Sequence, residues 1–274
     1  MVHNSKLYYL IDFLDDESEE IRSEIISQLK EYGISLENDL KKYNNTIGPS
    51  KLSTLEPILE SNRQKWLLEN WSCWSNLDNV SDNIESALNL IAKYHYGIFI
   101  QYDLTLLLDE LAEEFKNRIP YGDELDLSNF LFQEKGMTGA RDDYYNPFNS
   151  NAIYTIKEKK GLPITLCLIY YLIGNRLGLN ITPCNFPGHF LARVDTDDEQ
   201  IFIDCFNGGK ILYENDIRNL TGDSYEAVTQ IIGYRVDGSM IIKRVLKNLI
   251  NSYTILNDSD KVNLFQKLYD SILN

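Results

Sequence analysis

The most apolar run in the chain, Pro163 to Leu177 (PITLCLIYYLIGNRL), lacks a polar stripe, which predicts a helix covered on nearly every face. Proline suits its first turn, where the missing N–H would have no partner, and Gly178 stops it. Leu104, Leu107, Leu108, Leu111 and Phe115 recur at helical spacing and predict a one-sided helix over 104–118. Helices are also predicted over 52–73 and 81–94, the second capped by Ser81 with Asp82 and Glu85 behind it. Residues 5–32 read as two more. The first carries Leu7, Leu10, Ile11 and Leu14; the second opens at the acidic turn Asp15–Ser18, is striped by Ile21, Ile25, Ile26 and Leu29, and ends at Gly33.

Beyond Gly178 the apolar period changes to two, which predicts strands over 181–186, 189–195, 200–206 and 227–235. Turns at Asp197–Asp198 and Gly208–Gly209 separate them, and the second and third strands form a hairpin. Residues 142–150 (DDYYNPFNS) mix turn formers with aromatics and read as an ordered loop; 240–273 return to helical spacing. The fold class is α+β: a helical region over 1–78, a core over 79–239 in which a buried helix packs on an antiparallel sheet, and a helical tail over 240–274.

Charge narrows the partners. With 26 Lys and Arg against 41 Asp and Glu, the net charge of −15 repels nucleic acid and anionic membrane and favours a basic protein or peptide. No run is long and apolar enough to span a bilayer, and the N-terminal MVHNSKLYYLIDFLDD lacks the pattern of a secretory signal. Four cysteines without CxxC pairing are expected to stay reduced, which fits the cytoplasm.

Chemistry concentrates between Gly161 and Gly209. His189 follows Pro187–Gly188 at the start of one strand, and Asp204 lies near the end of the next, so the hairpin brings imidazole and carboxylate within hydrogen-bonding reach. A carboxylate on one ring nitrogen fixes the tautomer and leaves the other free to act as base or donor. A nucleophile would complete the set. Cys167 is the candidate, either as a reactive thiol or as a core thiol in an apolar helix. Thr165 reads as a capping or back-bonding hydroxyl, or as a ligand contact. Tyr144, Tyr145 and Phe148 either line a cleft beside His189 or pack onto the core. Cys167, Cys184, His189 and Cys205 lack the short ligand pairs of zinc knuckles, so neither a metal nor another cofactor is expected.

The run YYNPFNSNAIYTIKEKKGLPITLCLIYYLIGNRLGLNITPCNFPGHFLARV, followed by IFIDCFNGG, resembles the transglutaminase-like superfamily, specifically its bacterial invasion-regulator (Sir-B-type) branch. That branch typically reads YYDPRNS, GIPITLSLIY, PGHFLVR and IDPFxGG, and the likeness spans roughly Asp103 to Leu212. The string LIDFLDDESEEIRSEIISQLKEYG resembles a single HEAT-type repeat. The resemblance implies a papain-like-related core, with His189 and Asp204 as the catalytic-type pair. It also puts Pro163 where active relatives carry the Gly-x-Cys thiol, and Cys167 one helical turn later. The function it implies is a non-catalytic or catalytically divergent protein that binds a peptide or protein in a cleft at His189, lined by Pro163, Thr165, Tyr144 and Tyr145. The alternative is a thiol-dependent protease, amidase or acyltransferase using Cys167, His189 and Asp204.

Overall fold

The computed structural model describes residues 2–43, 47–97, 99–196, 199–221, 225–226 and 237–272. The chain forms two compact units, one of residues 1–71 and 93–101, the other of 72–92 and 102–274, and the division falls within the helix Val80–Tyr96. The first unit is helical, with Val2–Asp12, Glu19–Glu31, Ser35–Leu40 and Pro49–Asn70. Ser18 caps the second of these by accepting from Ile21 N, and Gly33, at φ +54°, turns the chain out of it. The stripes predicted on the first two helices meet except at Ile21, which is exposed: Leu7, Leu10, Leu14 and Leu29 share a core with Leu36, Leu55 and Ile58, and Ile25 and Ile26 pack partly buried against it.

The second unit is built on the helix Pro163–Leu177, whose residues 163–170 and 172–174 are all buried. Its composition follows from its place: the helix Leu104–Arg118 packs on one side and the sheet on the other, so no face needs to meet water. Each buried Leu or Ile there contributes roughly 1.5–3 kcal/mol relative to exposure. Gly178, at φ +74°, closes the helix, with Leu179 N donating to Gly174 O at 2.9 Å. The helix Val80–Tyr96 is capped differently from the sequence expectation. Asn79 Oδ1 accepts from Asp82 N at 2.8 Å and from the Ser81 hydroxyl at 2.7 Å, so Ser81 supports a cap placed two residues earlier.

Four antiparallel strands follow in spatial order: β3 (Ile181–Cys184), β4 (Leu191–Asp195), β5 (Gln200–Asp204) and β6 (Lys210–Leu212). A short parallel pair, β1 (Thr138–Gly139) and β2 (Lys160–Gly161), precedes them. The predicted hairpin is present, with Ala192 opposite Ile203 and Val194 opposite Ile201. Three strand ends differ from expectation. β3, expected to reach Phe186, stops at Cys184, whose carbonyl accepts from Phe186 N at 2.9 Å. β4 starts two residues late, because Gly188 takes φ +73° and His189 N donates to Phe186 O at 3.0 Å, a tight turn that places His189 before the strand. β5 stops at Asp204, where a 3₁₀ turn, Cys205–Asn207, takes over. The strand expected over 227–235 and the turn at Asp197–Asp198 lie outside the described residues.

Both faces of the sheet are covered, one by the central helix and the other by the cluster of Cys184, Phe186, Leu191, Phe202, Leu212 and Ile217. The tail is helical: Gly238–Ile255, capped by Asp237 on Met240 N at 2.7 Å, and Ser259–Ser271, with Tyr253 and Phe265 stacked between them. The first of these packs on the 3₁₀ turn Pro147–Ser150. Among the described residues no helix is long and apolar enough to cross a membrane.

Leu168, on the central helix, is completely buried. Leu168→Ala should lower unfolding stability by about 2–5 kcal/mol, read as a drop in the urea midpoint with little change in slope.

Candidate functional site

The site forms where the turn before β4 meets the turn after β5. His189 Nε2 lies 2.8 Å from Asp204 Oδ1. The pair sits diagonally across the hairpin, since Leu191, two residues beyond His189, falls opposite the end of β5. Asp204 is buried and satisfies its other lone pairs locally: Asn207 N donates to Oδ1 at 3.1 Å and Asn207 Nδ2 to Oδ2 at 2.6 Å. Burial pushes the Asp204 carboxyl up, but the hydrogen bonds from His189 and Asn207 outweigh it and hold the group below its ordinary value. The carboxylate therefore stays charged and fixes the imidazole through Nε2. Nδ1 of His189 has no hydrogen-bonding partner among the described residues, and the ring is partly exposed.

A chain of aromatic rings leads away from the imidazole. Phe206 meets it edge-on with centroids 6.2 Å apart, Tyr144 meets Phe206 at 6.0 Å, and Tyr145 meets Tyr144 at 5.3 Å. Tyr144 and Tyr145 are exposed, so the proposed lining residues form a surface continuous with His189. Phe148 instead packs against Tyr154, 5.5 Å away. Gly139 makes room for Phe206: a Cβ there would lie 2.5 Å from its ring. The Arg141 guanidinium lies over the Phe206 ring, 5.2 Å from its centroid, and bonds the Asn207 side chain.

The remaining sequence candidates do not join this group. Pro163 is the first residue of the central helix and is buried. Cys167 is fully buried, and its thiol donates to the Leu191 carbonyl at 3.2 Å rather than meeting the His189 ring. Thr165 neither caps nor back-bonds: its hydroxyl is buried without a hydrogen-bond partner, and Leu162 occupies the cap position without a side-chain bond. The other two core thiols are held protonated. Burial, then Cys167, pushes Cys184 up to about 12, and burial followed by Cys167 drives Cys205 well above its ordinary value. Cys205 lies in the 3₁₀ turn, not on the strand that the sequence suggested. Among the described residues no group of three His, Cys, Asp or Glu side chains is placed to hold a metal.

Sequence reasoning missed Phe206, Asn207 and Arg244. Asp204 followed by Asn207-Gly208-Gly209 is a cluster of turn formers and could have pointed to Asn207. Arg244 donates through Nη2 to the His189 carbonyl at 2.7 Å and through Nη1 to Asn185 Oδ1. Its signal was its place three residues after the buried Ile241, on the covered side of its helix.

The depressed Asp204 value gives stability a pH dependence of known sign. The contribution is fully present above the ordinary carboxylate range and is lost as pH falls through the lower value of the folded state. Asp204→Asn should therefore cost about 1–3 kcal/mol near neutrality, with the gap to wild type closing as the solution is acidified below that range. Urea titrations across pH check this; a gap constant with pH would contradict a charged Asp204.

The family model described as transglutaminase-like superfamily matches residues 103–247, more than half of the chain. A UPF0162 protein of Xylella fastidiosa strain Temecula1 is 30% identical over 66% of this chain and 69% of its own length. Protein SirB1 of Salmonella typhimurium is 25% identical over 56% of this chain and 59% of its own, in line with the branch that the motifs resemble. F-box only protein 21 of Homo sapiens is 28% identical over 71% of this chain but only 33% of its own. No solved structure matches. With the helical N-terminal region, the antiparallel sheet and the buried helix in place, the chain belongs to the transglutaminase-like superfamily.

Proposed function

We propose that this protein binds a peptide or protein partner in the cleft at His189 and performs no thiol chemistry there. The observation that carries this reading is the state of Cys167, fully buried with its hydrogen bond spent on the Leu191 carbonyl. A nucleophile must reach its substrate, and Pro163 offers no group that can attack. One helical turn, about 5 to 6 Å, is also a large error in the placement of a reacting atom.

What the cleft does offer suits recognition. Among the described residues His189 keeps Nδ1 unpartnered, and Tyr144 and Tyr145 supply exposed rings of the kind that anchor interfaces at low entropic cost. The excess of acids favours an approaching basic partner over nucleic acid or anionic lipid. In the F-box only protein the similar stretch is about a third of the chain, which supports reading it as a module that works joined to others. Four free thiols, with Cys73 exposed, fit a reducing compartment such as the cytoplasm.

Iodoacetamide labelling of the native protein across about pH 5 to 9, read by mass spectrometry, tests the reading. Cys73 should label freely, while Cys167, Cys184 and Cys205 should stay protected until the protein unfolds. Fast labelling of Cys167 that slows in His189→Ala would overturn the proposal in favour of a thiol protease, amidase or acyltransferase.

A further inference from the structure

Arg244 is half-buried and forms no ion pair among the described residues. Its two bonds go to neutral acceptors, Asn185 Oδ1 and the His189 carbonyl, and its guanidinium lies 5.2 Å from the centroid of Phe190. Arg176, on the central helix, makes the contrast: it pairs with Glu85 at 2.8 Å and Asp109 at 2.6 Å. Burial draws Arg244 below its ordinary value, with Tyr144 and Cys184 opposing, as expected for a cation that has given up water without gaining a counter-charge. Among the described residues no acidic side chain is bonded to it.

Tyr144 is its electrostatic neighbour. The Tyr144 hydroxyl makes no hydrogen bond among the described residues, and burial followed by Tyr145 raises its phenol, against the pull of Arg244, so it remains a donor. Two arms meet at His189: Tyr144 reaches its ring through Phe206, and Arg244 holds its carbonyl. A guanidinium has five N–H groups, and the two bonds to Asn185 and His189 leave Nε and part of the fork for a further acceptor. Two oxygens in one plane fit such an edge best.

We infer that Arg244, with the Tyr144 hydroxyl, anchors a carboxylate of the peptide that occupies the cleft at His189. This rests on the reading of that cleft as a peptide site and adds the chemistry of the group it grips. The anchor and the acidic surface act at different ranges. The surface draws in a basic partner over a Debye length, about 8–10 Å, and the anchor then selects the carboxylate within that partner.

The test uses the full chain and four probes: acetyl-Gly-Gly with a free C-terminus, the same peptide amidated, amidated acetyl-Gly-Asp-Gly, and inorganic phosphate. Imidazole resonances of His189 and the Nε–H resonance of Arg244 report binding by NMR. The free acid should shift both and saturate, the amide should be weaker by roughly tenfold or more, and the Asp peptide separates a chain-terminal from a side-chain source. Arg244→Gln should abolish the preference for acid over amide, Arg244→Lys should keep part of it, and Tyr144→Phe should cost about threefold while leaving the fold untouched. Equal binding of acid and amide, an undiminished preference in Arg244→Gln, or tighter binding of phosphate would overturn the anchor and leave the peptide cleft standing. Failure of every peptide to move the His189 resonances would overturn both.

Discussion

The architecture of the site depends on one buried charge. Asp204 ends an interior strand, where a carboxylate survives only if donors replace the water it has lost. Two of those donors come from Asn207, so the chain must turn back at once, and the 3₁₀ turn Cys205–Asn207 is the shortest path that lets it. Gly208 and Gly209 then take φ of +72° and +75°, and the second has no space for a Cβ, with Phe132 and Ser128 each 2.8 Å from where one would sit. The same turn throws Phe206 outward between His189 and Tyr144, which in turn requires Gly139 beneath it. Gln133 fastens the far side by donating to the Gly208 carbonyl.

That dependence bears on what a His–Asp pair means in a fold of this kind. The pair is held by the needs of the strand end as well as by any reaction, since a carboxylate without its imidazole partner would lose one of its three stabilising contacts. Its presence is therefore weak evidence for catalysis. The thiol is the discriminating group, and in this chain the first turn of the buried helix begins with proline.

The sequence foretold the parts of the fold governed by local rules. The helix Pro163–Leu177 matched to the residue because proline at the start, glycine after the end and an all-apolar interior each point to the same answer. Leu104–Arg118 matched for a similar reason, with Asp103 accepting from Thr105 N to cap it. Strand ends were less legible. Alternation continued through His189 and Phe206, whereas the chain joined β4 late, after the turn at Gly188, and left β5 early to satisfy Asp204. His189 and Asp204 could be read because the hairpin brings them together over a short span; Thr165 was misread because a hydroxyl on a fully enclosed helix turn has no solvent or cap to serve.

Arg244 grips the His189 carbonyl from 55 residues further along the chain. For a protein made from its N-terminus at about 5–20 residues per second, that separation leaves the turn before β4 untied for roughly 3–11 seconds after it emerges. The turn that carries His189 is thus completed late in the growing polypeptide. A nascent chain that has already formed its sheet still lacks this tie until the helix Gly238–Ile255 docks.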